Sequence, residues 1–119
     1  MEKSEIPWAK EFPGSVTVCD AEGVILWMND ASVAFAGYRG RDLIGTNLLD
    51  CHPEPSRSKL REMLATRRAN VYTIEKAGVR KLIYQTPWSV GGQYRGLVEV
   101  ALVLPETIPH FVRDAAPPA

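Results

Sequence analysis

The chain has 119 residues, enough for one domain with one hydrophobic core and too few for two. Fourteen Lys and Arg residues balance fourteen Asp and Glu residues, so no net charge favours nucleic acid or an anionic membrane as a partner. No uninterrupted apolar run exceeds five residues, whereas a membrane span needs roughly 20. The sequence predicts a soluble single domain with no nucleic-acid partner and no membrane span.

Cysteine usage and the charged first residues predict a cytoplasmic protein. No hydrophobic signal segment follows Met1–Glu5, so export is not expected. Cys19 and Cys51 form neither a CxxC pair nor a zinc-binding spacing. We therefore favour two reduced thiols over a disulfide.

The first twelve residues predict a short N-terminal cap. Trp8–Phe12 has the pattern of one or two turns of amphipathic helix, ended by a Pro-Gly pair. Ser15–Cys19 alternates between polar and apolar residues, and Val24–Met28 is a second apolar run. Because turn-forming residues join these two runs, they predict an antiparallel hairpin whose second strand is covered on both faces.

Short helical segments follow the hairpin. Asn29 is positioned to cap a helix over Ala31–Ala36 that Gly37 ends. Residues 39–45 predict a charged helical turn, again ended by glycine. Its inward side chains are expected to be Leu43 and Ile44.

One longer helix is predicted after a loop with two prolines. These prolines exclude helix before Ser56, which is positioned to cap a helix over Arg57–Arg68. Leu60, Met63 and Leu64 form one apolar stripe on that helix. Its many basic residues predict a solvated outer face.

Three strands complete the pattern. They are Asn70–Lys76, Val79–Trp88 and Tyr94–Leu104, separated by Ala-Gly and Gly-Gly turns. Alternation places Leu82 and Tyr84 on one face of the middle strand and Ile83 and Gln85 on the other. Pro87 is expected to interrupt that strand's ladder. In the last strand one face is expected to carry Leu97, Glu99, Ala101 and Val103.

This order of elements predicts an α+β architecture, a five-stranded antiparallel sheet with the short helices packed on one face. The order resembles the PAS domain. The resemblance covers residues 12 to 104, and we expect the domain at 13–104, between an N-terminal cap at 1–12 and a C-terminal linker or tail at 105–119. The residues that carry it are Val18–Ile25 with its Asp-x-x-Gly turn, the capping Asn29, Gly37-Tyr38, Asp42–Gly45 and the Tyr94–Gly96 turn.

Two further segments resemble a narrower group of PAS domains. Asp50–Pro53 and Tyr94–Val100 are similar to the subgroup often found beside hemerythrin-like domains in bacterial proteins. The PAS resemblance implies a cytosolic sensor or interaction module with a cavity between the sheet and the short helices. Such sites are mostly apolar with a few converging polar groups.

His52 and Cys51 are the first candidates for ligand or cofactor binding. The neutral imidazole of His52 could ligate haem iron or accept a hydrogen bond from a ligand. Alternatively, His52 is a structural cap or anchors its loop. Haem is disfavoured, because the haem oxygen sensors that this family resembles carry their axial histidine in the long helix. Flavin is not expected, because Leu48 stands where light-oxygen-voltage photoreceptors carry their reactive cysteine. Cys51 is also a poor match to the chromophore-bearing cysteine of photoactive yellow protein. If Cys51 does not bind a cofactor, it is expected to be a thiol packed in the core.

The sheet supplies the other candidates. Glu99 is costly in an apolar strand unless it is paired, and either an ion pair or a ligand-orienting carboxylate would satisfy it. Strand register is not fixed by sequence, and a slip of one residue exchanges the two faces. The residues proposed to share the cavity with Glu99 are Tyr84, Trp27, Trp88 and Gln85. The proposed charge partners of Glu99 are Arg80, Arg95 and His52.

Two function classes follow. In the first, the domain binds a small molecule and relays its state to a partner or output domain, with a homodimer expected. In the second, a ligand-free module dimerises or docks a partner through the sheet or through Ile6, Trp8 and Phe12. An enzyme using Cys51 and His52 is not expected, since no orienting acid beyond Asp50 accompanies them.

Overall fold

A computed structural model describes residues 5–34 and 42–114 of the chain. Within these residues, five strands and three helices succeed one another. The strands are β1 (Ser15–Asp20), β2 (Ile25–Met28), β3 (Asn70–Lys76), β4 (Val79–Val90) and β5 (Gln93–Leu104). The helices are α1 (Asp30–Ala34), α2 (Leu48–Cys51) and α3 (Ser56–Thr66).

The five strands form one antiparallel sheet in the order β2-β1-β5-β4-β3. The first hairpin joins the last three strands through β1 and β5, where Ser15 faces Ala101 and Asp20 faces Gly96. The predicted α+β architecture, a PAS-like five-stranded sheet with short helices, is confirmed. This pairing brings residues about 80 positions apart in sequence into adjacent strands.

The first hairpin turns at the predicted Asp-x-x-Gly sequence. Asp20 Oδ1 accepts hydrogen bonds from the backbone N–H groups of Glu22 and Val24, both at 2.9 Å. Gly23 adopts a φ of +91°, which favours glycine at this position. Side-chain acceptors that bond the backbone a few residues on are the reason aspartate begins such turns.

Helix α3 packs against the centre of the sheet. Leu60 and Met63 are buried in one cluster with Cys19 of β1 and Leu97 of β5. Leu64 packs against this cluster and is half-buried. The predicted apolar stripe of the helix is therefore its packed face, and burial of such side chains contributes about 1.5–3 kcal/mol each.

Two predictions about helices are wrong: a predicted helix near the amino terminus is a turn, and a helix forms before the prolines where none was predicted. Residues 8–11 form a turn instead of a helix. The side-chain Nδ2 of Asn29 holds this segment by donating hydrogen bonds to the carbonyl oxygens of Ala9 and Gly14 at 2.9 and 2.8 Å. Helix was excluded before Ser56, yet α2 forms there, since Asn47 Oδ1 caps it by accepting from Leu49 N at 2.8 Å. Ser56 itself is the first residue of α3 and follows the N-cap Pro55.

The expected burial of two segments is wrong. Strand β2 lies at the sheet edge, and its Leu26 is 44% exposed while Ile25 and Met28 are buried, so the strand is not covered along its whole length. Ile44 was expected to point inward but is 47% exposed, in a turn rather than a helix. The predicted helix stop at Gly37 and the neighbouring Tyr38 lie outside the described residues.

Pro87 does not end β4. The strand continues to Val90, and its register shifts only between Trp88 and Ser89. Asn70, the first residue of β3, pairs with Gln85. From Thr86 onward β4 therefore pairs with β5 alone. An edge position without a ladder partner tolerates the missing N–H of proline.

Candidate functional site

A cavity of about 550 Å³ lies between the sheet and the helices. The strands β1, β5, β4 and β3 contribute alternate residues to it, as expected for one face of a pleated sheet. Helix α3 and the segment before it form the other wall, with His52, Lys59, Leu60 and Met63. The face of the sheet that carries Glu99 is therefore the one that looks into the cavity.

A row of polar side chains crosses this face from β1 to β3. Thr17 is opposite Glu99, Glu99 is opposite Gln85, and Gln85 is opposite Asn70. Three of these side chains form a chain of hydrogen bonds. Asn70 Nδ2 donates to Gln85 Oε1 at 3.0 Å, and Gln85 Nε2 donates to Glu99 Oε2 at 2.9 Å.

The fourth member of the row is bonded away from Glu99. The hydroxyl groups of Thr17 and Ser32 lie 2.5 Å apart and share a hydrogen bond. Ser32 is almost fully buried at the start of α1. Its backbone N–H donates to Asn29 Oδ1, so the polar row is connected to the capping asparagine.

Apolar side chains flank the polar row on both sides. Cys19 and Leu97 face each other across β1 and β5 on one side. Ala101 and Ile83 face each other on the other side, with Tyr72 opposite Ile83. A cavity with apolar walls and a central polar strip has the composition typical of small-molecule sites.

His52 lies on the wall opposite the sheet. Its Nδ1 lies 2.7 Å from the carbonyl oxygen of Leu48, which can only accept, so Nδ1 carries a proton. The guanidinium Nε of Arg57 donates to the His52 carbonyl oxygen at 3.0 Å. The ring is therefore held by backbone and has Nε2 left for another partner. These hydrogen bonds give His52 the structural role that the sequence left open, and its binding of a ligand stays a prediction.

The cavity raises the pKa of two of its acidic groups. Burial is the main cause of the raised pKa of the Cys19 thiol, and the charges of Asp20 and Glu99 add to it. Burial also raises the pKa of the Tyr72 phenol, with a further contribution from Glu99. Both groups therefore stay neutral at physiological pH, and the carboxylate of Glu99 acts electrostatically on both flanks of the polar row.

Of the five sequence-predicted site residues, the structure brings two, His52 and Glu99, to the cavity. Tyr84 lies on the opposite face of β4 and is 44% exposed, because the even-numbered residues of this strand point away from the helices. Trp27 lies in a surface groove beside Pro7 and Trp8. Cys51 is exposed at the end of α2, and the thiol packed in the core is Cys19 instead.

The bonding of Glu99 and Trp88 also departs from expectation. Arg80, Arg95 and His52 were the proposed charge partners of Glu99, whereas its hydrogen-bond partner is Gln85. Gln85 is directly opposite Glu99, while Arg80 faces Leu104, five residues further along β5. Trp88 Nε1 donates to the Cys19 carbonyl oxygen at 3.0 Å and thereby ties β4 to β1.

Sequence reasoning missed several residues of the site. These are Thr17, Cys19, Asn70 and Tyr72. The alternation of β1 and of β3 would have grouped them correctly, since each pair is two residues apart on its strand. The pattern could not say which of the two faces looks into the cavity.

The described residues contain no group of three or more His, Cys, Asp and Glu side chains that could hold a metal ion. None of their helices has the length and apolar character needed to cross a bilayer.

A sequence model of the family described as the PAS fold matches residues 10–103. The chain belongs to the PAS family. The match spans the whole sheet except the end of β5, together with the three helices and the cavity between them. A search of curated proteins finds none that matches this PAS domain.

Solved structures share this fold. The PAS domain of Bordetella pertussis BvgS superposes with a TM-score of 0.63 at 19% identity, over 82% of each chain. A sensory box sensor histidine kinase from Vibrio cholerae gives a TM-score of 0.61 at 14% identity, over 79% of this chain and 83% of that one. The Vibrio cholerae Aer2 receptor, described as a dual PAS-heme oxygen sensor, gives 0.59 at 16% identity, over 77% and 95%. At these identities the likeness concerns the fold.

Proposed function

We propose that this PAS domain binds a small molecule in the cavity between its sheet and α3 and passes the bound state to a partner or output domain. The observation that carries the proposal is the cavity of about 550 Å³ with a hydrogen-bonded polar row between apolar walls. Ligand sites in proteins are typically 300–1,000 Å³ and have this mixture of surfaces. We assign no catalytic residue to the chain.

The hydrogen bonds around α1 offer a route from the cavity to the amino-terminal segment. Ser32 lines the cavity, and its N–H donates to Asn29 Oδ1 at 2.9 Å. Asn29 Nδ2 in turn donates to the carbonyl oxygens of Ala9 and Gly14. A ligand that moves Ser32 or Thr17 would disturb these bonds, so we expect the amino-terminal segment to be one output surface.

The test is thermal unfolding of the purified domain against a metabolite library, with native mass spectrometry to identify any molecule that co-purifies. Ile74 lines the cavity near its rim and Val71 lies on the other face of the same strand, and both are partly exposed. Ile74→Trp should place a larger side chain in the cavity and obstruct part of it, whereas Val71→Trp is the matched control. A stabilising metabolite should lose its effect only in Ile74→Trp; a library without a single stabilising compound would contradict ligand binding.

Haem fits this cavity poorly. Helix α3 contains no histidine, and a macrocycle placed against the sheet would cover the Glu99 carboxylate without donating a hydrogen bond to it. His52 Nε2 could still ligate iron, because its Nδ1 donates to a backbone carbonyl as in many metal sites. We expect protein purified from haem-supplemented cells to show no Soret absorption, and a strong Soret band would contradict this.

The remaining sequence-based proposals concern the setting of the domain. The two free cysteines support a cytoplasmic location. The likeness of Asp50–Pro53 to PAS domains beside hemerythrin-like domains stays a prediction. The expected domain limits of 13–104, with a cap before and a linker after, are likewise proposed.

A second candidate function is self-association through the outer face of the sheet, the face turned away from the cavity. Val71 and Tyr84 face each other there and are 48% and 44% exposed. The half-buried Val100 and Leu102 continue this apolar surface on β5. Exposed contiguous apolar surface of this kind is typical of protein interfaces, and the proposed occupant is a second copy of the chain.

Sedimentation velocity over a range of concentrations tests this second function. Tyr84→Arg should dissociate a dimer that uses the outer face, because it buries an unpaired charge. A chain shortened to residues 13–119 tests instead the surface around Ile6 and Trp8, which are 55% and 64% exposed. Wild-type protein that sediments as a monomer at every concentration would contradict self-association.

A further inference from the structure

We infer that the cavity selects a ligand that presents N–H donors, or a protonated nitrogen, to the carboxylate of Glu99. This inference names the chemical class of the ligand and rests on the proposed binding function. It concerns the central polar row and depends on the direction of its hydrogen bonds, on the contacts of Glu99 and on the apolar side chains that flank it.

The direction of the hydrogen bonds is fixed by the acid at the end of the chain. An ionised carboxylate only accepts, so Gln85 must turn its amide nitrogen toward Glu99. Its carbonyl oxygen then faces β3, and Asn70 must meet it with an amide nitrogen. The assignment of both amides therefore follows from Glu99, and the two hydrogen bonds that these amides donate within the row run toward this carboxylate.

The chain of bonds ends at Glu99 with accepting capacity left over. Gln85 Nε2 supplies the one hydrogen bond that the described residues give this carboxylate, and it reaches Oε2. Thr17, the neighbour on the other side, shares its hydroxyl with Ser32 instead. A ligand that closed the cavity over Glu99 would remove water from Oε1 and would have to replace it with a donor.

The charge of Glu99 on the sheet side of the cavity points the same way, since Lys59, which also lines the cavity, is exposed and lies on the opposite wall. Glu99 lies in the middle of the cavity-facing row, with Leu97 and Ala101 two residues away on either side along β5. An anionic ligand group at this position would meet a like charge in a partly desolvated site, where repulsion is stronger than in water. A protonated amine, amidine or N-heterocycle would gain a charge-assisted hydrogen bond there.

The flanks of the row define the rest of the ligand. Cys19 and Leu97 lie on one side of Glu99, and Ala101 and Ile83 lie on the other. A flat or compact apolar body would contact both sides while its nitrogen meets the carboxylate. Tyr72, opposite Ile83, adds an aromatic surface at the β3 end.

Three probes of one ring size but different donor and charge character test the inference. They are benzamidine, benzamide and benzoate, titrated against the full chain and followed by protein amide resonances in NMR. We expect benzamidine to bind at least tenfold more tightly than benzoate. Glu99→Gln should weaken benzamidine at least tenfold and reduce its preference over benzoate.

Glu75→Gln is the matched control, because Glu75 is exposed and lies on the outer face of β3, the edge strand of the same sheet. It removes the same charge and should leave all three affinities unchanged. The order of the three probes on wild-type protein remains a test even if Glu99→Gln fails to fold. The order of affinities is measured on wild-type protein and requires no substitution.

The outcomes separate this inference from the proposed function. Benzoate binding in the cavity more tightly than benzamidine would overturn the donor requirement and leave ligand binding intact. Unchanged benzamidine affinity in folded Glu99→Gln would do the same. If none of the probes shifts cavity resonances such as those of Leu97 and Ile83, the inference is contradicted, while the metabolite library remains the test of ligand binding itself.

Discussion

Asn29 joins three separate segments of the chain through one fully buried side chain. Its Oδ1 accepts from the N–H groups of Val16 and Ser32, both at 2.9 Å. Its Nδ2 donates to the carbonyl oxygens of Ala9 and Gly14. The same residue therefore caps α1, aligns the start of β1 and holds the amino-terminal turn.

Replacement of Asn29 by alanine should be strongly destabilising. It leaves buried backbone groups unsatisfied, each at about 1–3 kcal/mol, so we expect the free energy of unfolding to fall by about 3 kcal/mol or more. Urea denaturation measures the change. Asn47→Ala is the control, because it removes a half-buried helix cap and should cost about 1 kcal/mol. Equal losses in the two variants would contradict the central position given to Asn29.

The buried thiol of Cys19 should make stability sensitive to alkaline pH. Burial raises its pKa, so its contribution to stability is complete below the ordinary thiol pKa of about 8.5 and is lost as pH rises through the higher folded-state value. We expect the free energy of unfolding to fall less between pH 7.5 and 10 in Cys19→Ala than in wild type. Cys51→Ala removes an exposed thiol and should keep the wild-type slope.

At the scale of elements, the pairing of β1 with β5 depends on a residue without a side chain. Gly96 faces Asp20 at the end of this ladder and adopts a φ of +154°. A Cβ atom at this position would lie 2.0 Å from the carbonyl oxygen of Cys19. The two backbones approach so closely that any other residue would force the strands apart.

Gly96→Ala should therefore destabilise the sheet by about 3 kcal/mol or more, the upper part of the range for overpacking. Gly92→Ala is the matched control, because Gly92 has a φ of +79° but no atom of the described residues lies within 4 Å of the place where its Cβ would be. It should cost only the backbone strain of about 1–2 kcal/mol. Thermal unfolding of both variants gives the comparison, and a similar loss in each would show that steric contact at Gly96 is unimportant.

At the scale of the whole molecule, the sheet separates two surfaces of different character. One face carries the polar row and the cavity, and the other carries partly exposed apolar residues such as Tyr84 and Val71. The two proposed functions, ligand binding and self-association, would thus use opposite sides of the same strands. Substitutions on alternate residues of β3 or β4 can therefore separate the two proposed functions.

The segment after β5 contributes little to the fold. Residues 105–114 form no strand or helix, and Ile108, Phe111 and Val112 are 54%, 69% and 72% exposed. Deleting residues 105–119 should change the free energy of unfolding by less than about 0.5 kcal/mol, as for surface changes in general. Deleting residues 101–119 is the control, because it also removes strand partners of Ser15 and Ile83 and should unfold the domain.

Local sequence determined the order of the five strands and the place of the long helix α3. The β-forming residues of Asn70–Lys76, followed by an Ala-Gly turn, predicted β3 with the observed limits, and the Leu60 and Met63 spacing predicted the packed face of α3. Asn29 and the Asp20 turn were recognisable because their side chains bond backbone only a few residues away. Interactions of this range are encoded in short stretches of sequence.

Only the tertiary structure decided which residues meet in the cavity. Glu99, Gln85 and Asn70 come from three strands, and their alignment follows from registers that no single segment specifies. Tyr84 and Trp27 were assigned to the site because alternation groups residues by face without saying which face is enclosed. The helices of the described residues cover one face of the sheet, and that packing made Gln85 and Cys19 part of the cavity while leaving Tyr84 outside it.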